Sequence, residues 1–175
     1  MEVKGGKQMI VGIMSDSHDR LEAIEAAVDK FNDLGAGFVI HAGDIVAPFA
    51  LTPLSGLKCV WAGVFGNNDG EKNGLSKRSD GRIKDGPLKL EIDGRLITVV
   101  HDIESCRQNA SCLESEILIH GHSHNHSVKR ENGRLVINPG ETCGYLTGSM
   151  TVAILDTKQM TVKIEKLLPG TGKKL

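Results

Sequence analysis

Five short stretches of this chain carry side chains suited to gripping cations. In Ser15-Asp16-Ser17-His18, an extended backbone would turn Asp16 and His18 to the same side, so the pair suits a single ion. Asp44 follows Gly43, and its carboxylate has two oxygens, enough to bridge two cations. Asn67, in Gly66-Asn67-Asn68-Asp69, offers a neutral, hard oxygen, and His101 stands alone. His122 and His124 alternate in Gly121-His122-Ser123-His124, a good ligand pattern. Taken singly, most of these have an ordinary reading as a capping Asp, a turn Asp, an Asn-rich turn or a strand-end His. Taken together they are two Asp, one Asn and four His with no Cys, all hard or borderline donors. Seven donors exceed one tetrahedral site and suit two ions that share a carboxylate. Burying so many polar groups without a cation would be costly.

The elements that position them are legible around them. Met9 to Met14 is an unbroken apolar run, expected of a strand buried on both faces. Leu21, Ile24, Ala27, Val28 and Phe31 form one helical stripe, with Asp19 as its expected cap and Gly35 and Gly37 at its end. Phe38 to Ile40 and Cys59 to Phe65 read as further buried strands, so strand, helix and strand imply a right-handed crossover. Asp93-Gly94 and Asn132-Gly133 mark hairpins, and a third is expected between Met150–Leu155 and Met160–Leu167. Ile117 to Ile119 is a short strand, and Glu71 to Pro87, polar and Gly-rich, is expected to be a surface loop. The result is a layered α/β architecture of two packed sheets with helices outside. Every candidate residue then sits just past a strand, where open α/β sheets place their ligands.

Composition narrows the function classes. The 175 residues are 39% hydrophobic and 25% charged, which fits one globular domain. Lys+Arg is 21 against 22 Asp+Glu, a formal net charge of -1, so no basic footprint for nucleic acid or membrane is present. Aromatics at 3% leave few platforms for stacked bases. No apolar run is long enough to cross a membrane, and the cytoplasm is the default compartment. None of the four cysteines forms a C-x-x-C pair, and reduced thiols are expected there. Of the other histidines, His41 and His120 read as packed structure, whereas His126 continues the alternation and is a candidate to line the cleft.

The order D-x-H, G-D, G-N-N-D, His, G-H-x-H resembles the calcineurin-like metallophosphoesterases. The similarity is greatest to the small prokaryotic phosphodiesterases of the YfcE/MJ0936 type, whose archaeal members resemble this chain at Asn138 to Gly148 and Gly66 to Gly70. It covers residues 9–168, leaving 1–8 as an N-terminal extension and 169–175 as a tail around one metallophosphoesterase domain. The implied fold is a four-layer α-β-β-α sandwich of two mixed sheets. The resemblance implies one ion held by Asp16, His18, Asp44 and His124, and another by Asp44, Asn67, His101 and His122. The ions would be Mn, Ni, Fe or Zn. The implied reaction is hydrolysis of a small phosphate ester, most favourably a diester, by a metal-bridging hydroxide. Asn68 would support the transition state, and Asp69 would orient Asn68 or His124. Two positions depart from the family: Asn68 stands where many members have His, and Asp102 where Gly is usual, putting a charge near the second ion. Asn68 can donate a hydrogen bond but no proton, so His126 is the candidate acid for poor leaving groups. A same-fold interaction scaffold, resembling a retromer subunit, is the alternative, and a repair nuclease is a third option that the neutral charge disfavours. Homo-oligomerisation stays open.

Overall fold

The computed structural model describes residues 2–3, 9–107, 112 and 114–168. In chain order these form β1 (Glu2–Val3), β2 (Ile10–Met14), α1 (Leu21–Asp33), β3 (Phe38–His41), β4 (Val60–Val64), α2 (Lys72–Arg78), β5 (Ile83–Lys84), β6 (Leu88–Ile92) and β7 (Arg95–Val99). They continue as α3 (Glu104–Arg107), β8 (Ile117–Ile119), β9 (Ser127–Glu131), β10 (Arg134–Asn138), β11 (Thr151–Asp156) and β12 (Thr161–Lys166). A 3₁₀ segment spans Pro48–Gly56.

The strands make two six-stranded sheets, ordered β1-β6-β7-β8-β10-β9 and β12-β11-β2-β3-β4-β5. Both are mixed: β2, β3, β4 and β5 run parallel, as do β7, β8 and β10, while the hairpins and β11 add antiparallel pairs. This is the expected α/β sandwich. Its centre is one apolar layer contributed by both sheets, including Val11, Ile13, Phe38 and Ile40 from one and Ile97, Val99, Ile117 and Ile119 from the other. On the outer face of the second sheet, α1 buries Ile24, Val28 and Phe31, and the 3₁₀ segment buries Leu51 and Leu54, together with Val39, Trp61 and Val152. A thinner outer layer covers the first sheet, with Cys106, Cys112 and Ile103 against Leu118 and Val136. Among the described residues no helix is long and apolar enough to cross a membrane.

Register places the site. Met14 pairs with His41, and His41 with Gly63, so β2, β3 and β4 end level. In the other sheet Val99 pairs with Ile119, and Ile119 with Ile137. The chain leaving these carboxyl ends carries each of the candidate residues.

Three expectations need correction. Glu71 to Pro87 is not a loop throughout: it holds α2 and β5, each anchored by one buried apolar residue, Leu75 and Ile83, too few to show a period. Asp19 does not cap α1, whose N-cap Arg20 makes no side-chain cap bond; Asp19 instead accepts from the Ala47 backbone N–H. Cys106 and Cys112 are joined in a disulfide, because a spacing of six brings both into the same buried outer cluster; Cys59 and Cys143 are free. The N-terminal extension expected at 1–8 and the tail expected at 169–175 lie outside the described residues, except that Glu2 and Val3 pair in parallel with Glu91 and Ile92.

Candidate metal centre

The loops after β2 and β3 are laced together. Asp16 N–H donates to Gly43 O at 2.9 Å, and Ser17 and His18 N–H both donate to Asp44 O at 3.0 and 3.1 Å. His41, buried at the end of β3, joins them: its Nε2 lies 3.0 Å from Ser17 Oγ, and its Nδ1 accepts from Gly43 N–H. Burial lowers this imidazole to about 3, so it stays neutral.

Five of the seven candidate residues have left-handed backbones: Asp16 (φ 52°), His18 (40°), Asp44 (59°), His122 (67°) and His124 (60°). The extended geometry expected at Asp16 and His18 is therefore replaced by a tight turn, which brings the pair together by another route. Non-glycine residues at positive φ carry strain that persists only where surrounding contacts impose it, and they gather at functional sites. Close backbone approach tightens the same region. A Cβ at Gly66 would overlap the Asp44 carboxylate, and one at Gly121 would overlap the Ser15 hydroxyl, so neither position accepts a side chain without a shift.

All seven residues come to one place, in two overlapping groups. In the first, donor atoms of Asp16, His18 and His124 lie within 4.8 Å of one another. Asp16 Oδ1 is 3.6 Å from His124 Nε2, and His18 Nε2 is 3.6 Å from Asp44 Oδ2. The His18 and His124 rings stack with centroids 5.2 Å apart. Asp16 Oδ1 and His18 Nε2 are buried and have no hydrogen-bond partner. In the second, His101 Nε2 faces Asn67 Oδ1 at 3.0 Å and Asp44 Oδ2 at 3.3 Å, while its Nδ1 lies 2.8 Å from Ala42 O. His122 Nδ1 approaches the same Asn67 Oδ1 at 2.9 Å. With a proton on Nδ1 directed at Ala42 O, a neutral His101 would point a lone pair at two oxygens. Asp44 Oδ2 lies between the groups and also accepts from Asn68 Nδ2 at 2.7 Å.

The electrostatics follow. Burial raises the Asp16 carboxyl, whose Oδ2 accepts from the His122 N–H while Oδ1 has no partner. Burial acts the same way on Asp44, but hydrogen bonds from His101 and Asn68 outweigh it and hold that carboxyl below the usual range. At His101 burial opposes the charge, yet Asp44 and the Ala42 carbonyl prevail and raise the imidazole. Asp16 and Asp44 form a buried floor, and Asn67, Asn68 and His122 are exposed at its rim.

Other residues behave differently from expectation. Asp69 orients neither Asn68 nor His124. It is buried and accepts four backbone N–H bonds, from Asp44 (3.1 Å), Ile45 (2.8 Å), Val46 (2.7 Å) and Gly66 (2.7 Å), pinning two loops to each other. Asp102 turns back on its own chain and accepts from Glu104 N–H at the start of α3. His126 lines a cavity of about 590 Å³ with His120, Ser123, Lys129 and Arg134; none of the seven residues lines it.

Glu141 was not among the expected site residues. It is fully buried, and its Oε2 lies 2.8 Å from His124 Nδ1. Burial works against its charge, but His124, Thr147 and Leu146 outweigh it and lower the carboxyl to about 2. The signal was positional: Glu141 follows β10 just as the other site residues follow their strands. Cys143 touches the same carboxylate, but burial pushes its thiol up to about 12, so it stays protonated.

The profile of the calcineurin-like phosphoesterase superfamily domain matches residues 9–160. The chain is 38% identical over 162 residues to Phosphodiesterase MJ0936 of Methanocaldococcus jannaschii, covering 86% of this chain and 95% of that one. A solved structure of an archaeal phosphodiesterase superposes with a TM-score of 0.83 at 35% identity, covering 91% of this chain and 100% of the other. A single-mutant Vps29 from Entamoeba histolytica shares the fold, with a TM-score of 0.66 at 20% identity over 91% and 98% of the two chains. Another Vps29 structure from that organism, at a TM-score of 0.54, is a complex with zinc.

Proposed function

This chain belongs to the calcineurin-like phosphoesterase superfamily, and on that premise we propose that it is a divalent-metal-dependent phosphodiesterase with a dinuclear centre. Asp16, His18, Asp44 and His124 hold one cation; Asp44, Asn67, His101 and His122 hold the other, with Asp44 shared. The observation that carries this reading is the surplus of buried lone pairs. Asp16 Oδ1 and His18 Nε2 have no hydrogen-bond partner, and the Asn67 and Asp44 oxygens converge on the single atom His101 Nε2. Such atoms are costly in a protein interior, and a cation satisfies them together. Imidazole with carboxylate and amide oxygen suits manganese, nickel, iron or zinc.

When bound, such a pair supplies a water ionised near neutral pH as nucleophile and positive charge against the phosphoryl oxygens. The chain supplies the rest. Asp16 and Asp44 offset the cations' charge from the floor. The contact of His101 Nδ1 with Ala42 O, and that of His124 Nδ1 with Glu141, leave each Nε2 free to coordinate. The exposed rim of Asn67, Asn68 and His122 lets a small phosphoester approach from solvent. The Asn68 amide can turn from Asp44 to a phosphoryl or leaving oxygen, donating a hydrogen bond but no proton. Esters of acidic alcohols, such as aryl diesters, are therefore the favoured substrates, and the near-neutral charge argues against a stable nucleic-acid complex.

Turnover of an aryl phosphodiester with added manganese tests the reading. Asp44→Asn and His122→Ala should each lose at least about a hundredfold in kcat/KM, since the first removes the charge shared by both cations and the second removes a donor from one of them. Unchanged rates in either variant would overturn the assignment. The second reading, an interaction scaffold of the same fold, draws on the likeness to Vps29. Because one Vps29 structure contains zinc, metal uptake does not separate the two readings; metal-dependent turnover does.

A further inference from the structure

We propose that Glu141 is a positioning residue that fixes the tautomer of His124 and thereby sets the affinity of the cation position formed by Asp16, His18, Asp44 and His124. The carboxylate is built for the task from both ends. Oε1 accepts from Thr147 Oγ1 at 2.7 Å, from Thr147 N–H at 2.5 Å and from Leu146 N–H at 3.0 Å. Oε2 faces His124 Nδ1 at 2.8 Å and also accepts from the Cys143 thiol at 3.4 Å and from Leu146 N–H at 3.1 Å. A fully buried carboxylate held by that many donors stays ionised and acceptor-only. The His124 nitrogen that meets it must therefore carry the proton. Nε2, directed at Asp16 Oδ1, is then left with its lone pair.

Neutral imidazole in water divides its proton between two nitrogens, so an unguided His124 would spend part of its time with Nε2 blocked. Glu141 removes that competition and fixes the ring plane, as carboxylates beside metal-bound histidines commonly do. It also anchors Leu146 and Thr147, next to the exposed Tyr145 and Leu146 side chains, to the same ring.

Glu141→Gln tests this with the shape retained. A glutamine has one acceptor oxygen and cannot serve His124 and the Leu146–Thr147 donors at once. In metal-free protein, two-bond proton–nitrogen correlation spectra should show wild-type His124 protonated at Nδ1, and Glu141→Gln should shift it towards a mixture. In Mn²⁺ titration against a chromophoric chelator, one of two binding steps should weaken about 10- to 100-fold in Glu141→Gln, with the other unchanged. Glu141→Asp, which keeps the charge, should restore part of the loss, and Thr147→Val should weaken the same step less. Wild-type His124 protonated at Nε2, or both steps unchanged in Glu141→Gln, overturns the proposal. The affinity arm rests on the dinuclear reading; if wild type takes up no Mn²⁺, that reading fails and the nitrogen spectra still decide the role of Glu141. Should Glu141→Gln not fold, the wild-type spectra and Thr147→Val carry the test.

Discussion

Replacing Asp69 with Asn removes one charge and one acceptor at the point where two site loops are pinned. The native carboxylate accepts from the Asp44, Ile45, Val46 and Gly66 N–H groups. The Asn oxygen can keep Ile45 and Val46, but its NH₂ then faces the Asp44 and Gly66 N–H groups, donor against donor. Two lost hydrogen bonds to a charged acceptor, at about 1.5–3 kcal/mol each, give about 3–6 kcal/mol. Part of this returns, because Asp44 at φ 59° loses its acceptor and its strained backbone can relax, whereas Val46 stays held by the Asn oxygen. With about 1–3 kcal/mol recoverable at that one residue, the expected net loss is about 2–3 kcal/mol. Urea denaturation in excess chelator measures it without interference from metal. Amide hydrogen exchange at Asp44 and Gly66 should accelerate in parallel, because these N–H groups lose their acceptor and the loop opens before the core. Asn68→Ala, next door but outside the clamp, removes one rim hydrogen bond to the Asp44 carboxylate and should lose less, about 1.5 kcal/mol. A loss below about 1 kcal/mol for Asp69→Asn, with unchanged exchange, would refute the clamp.

Phe31 is fully buried between α1 and the second sheet, so Phe31→Ala should destabilise by about 3–5 kcal/mol, as read by urea or thermal unfolding; a loss under about 1 kcal/mol would mean that the layer repacks. His41 gives an acid-labile contribution. Its folded value is lowered to about 3 from 6.5 by burial, so between those values the unfolded chain takes up a proton that the folded chain refuses. Stability is full above about pH 6.5 and falls as pH drops towards 3, by about 2 kcal/mol at pH 5. Unfolding of chelator-treated protein from pH 7 to 4 should show a shallower slope for His41→Gln, and an equal slope would contradict the assignment. Asn68→His supplies a proton donor at the rim and should raise the alkyl relative to the aryl phosphodiester rate at least about tenfold; an unchanged ratio would place the leaving-group proton elsewhere.

How much of this was legible follows from the range of the forces involved. The apolar runs of β2, β3 and β8 and the Asp93-Gly94 and Asn132-Gly133 turns are local signals, and each element formed where it was expected. The seven candidate donors were visible because each follows a strand, and the register that levels the strand ends brings them together. What stayed hidden depends on distant partners. Leu75 and Ile83 are single apolar anchors whose burial comes from elements packed over them. Glu141 is one carboxylate among many until His124 is placed beside it, and Asp69 declares its role only when four backbone N–H groups converge on it. Cys106 and Cys112 carry no motif, and only packing under the first sheet joins them.

The proposed chemistry requires Asp44 to be shared by two cations. Anomalous diffraction at the manganese edge, on crystals grown with Mn²⁺, measures this most directly. Two peaks flanking the Asp44 carboxylate, one beside His18 and His124 and one beside His101 and His122, is the predicted map. No peak there, or a single peak beyond reach of Asp44, would contradict it.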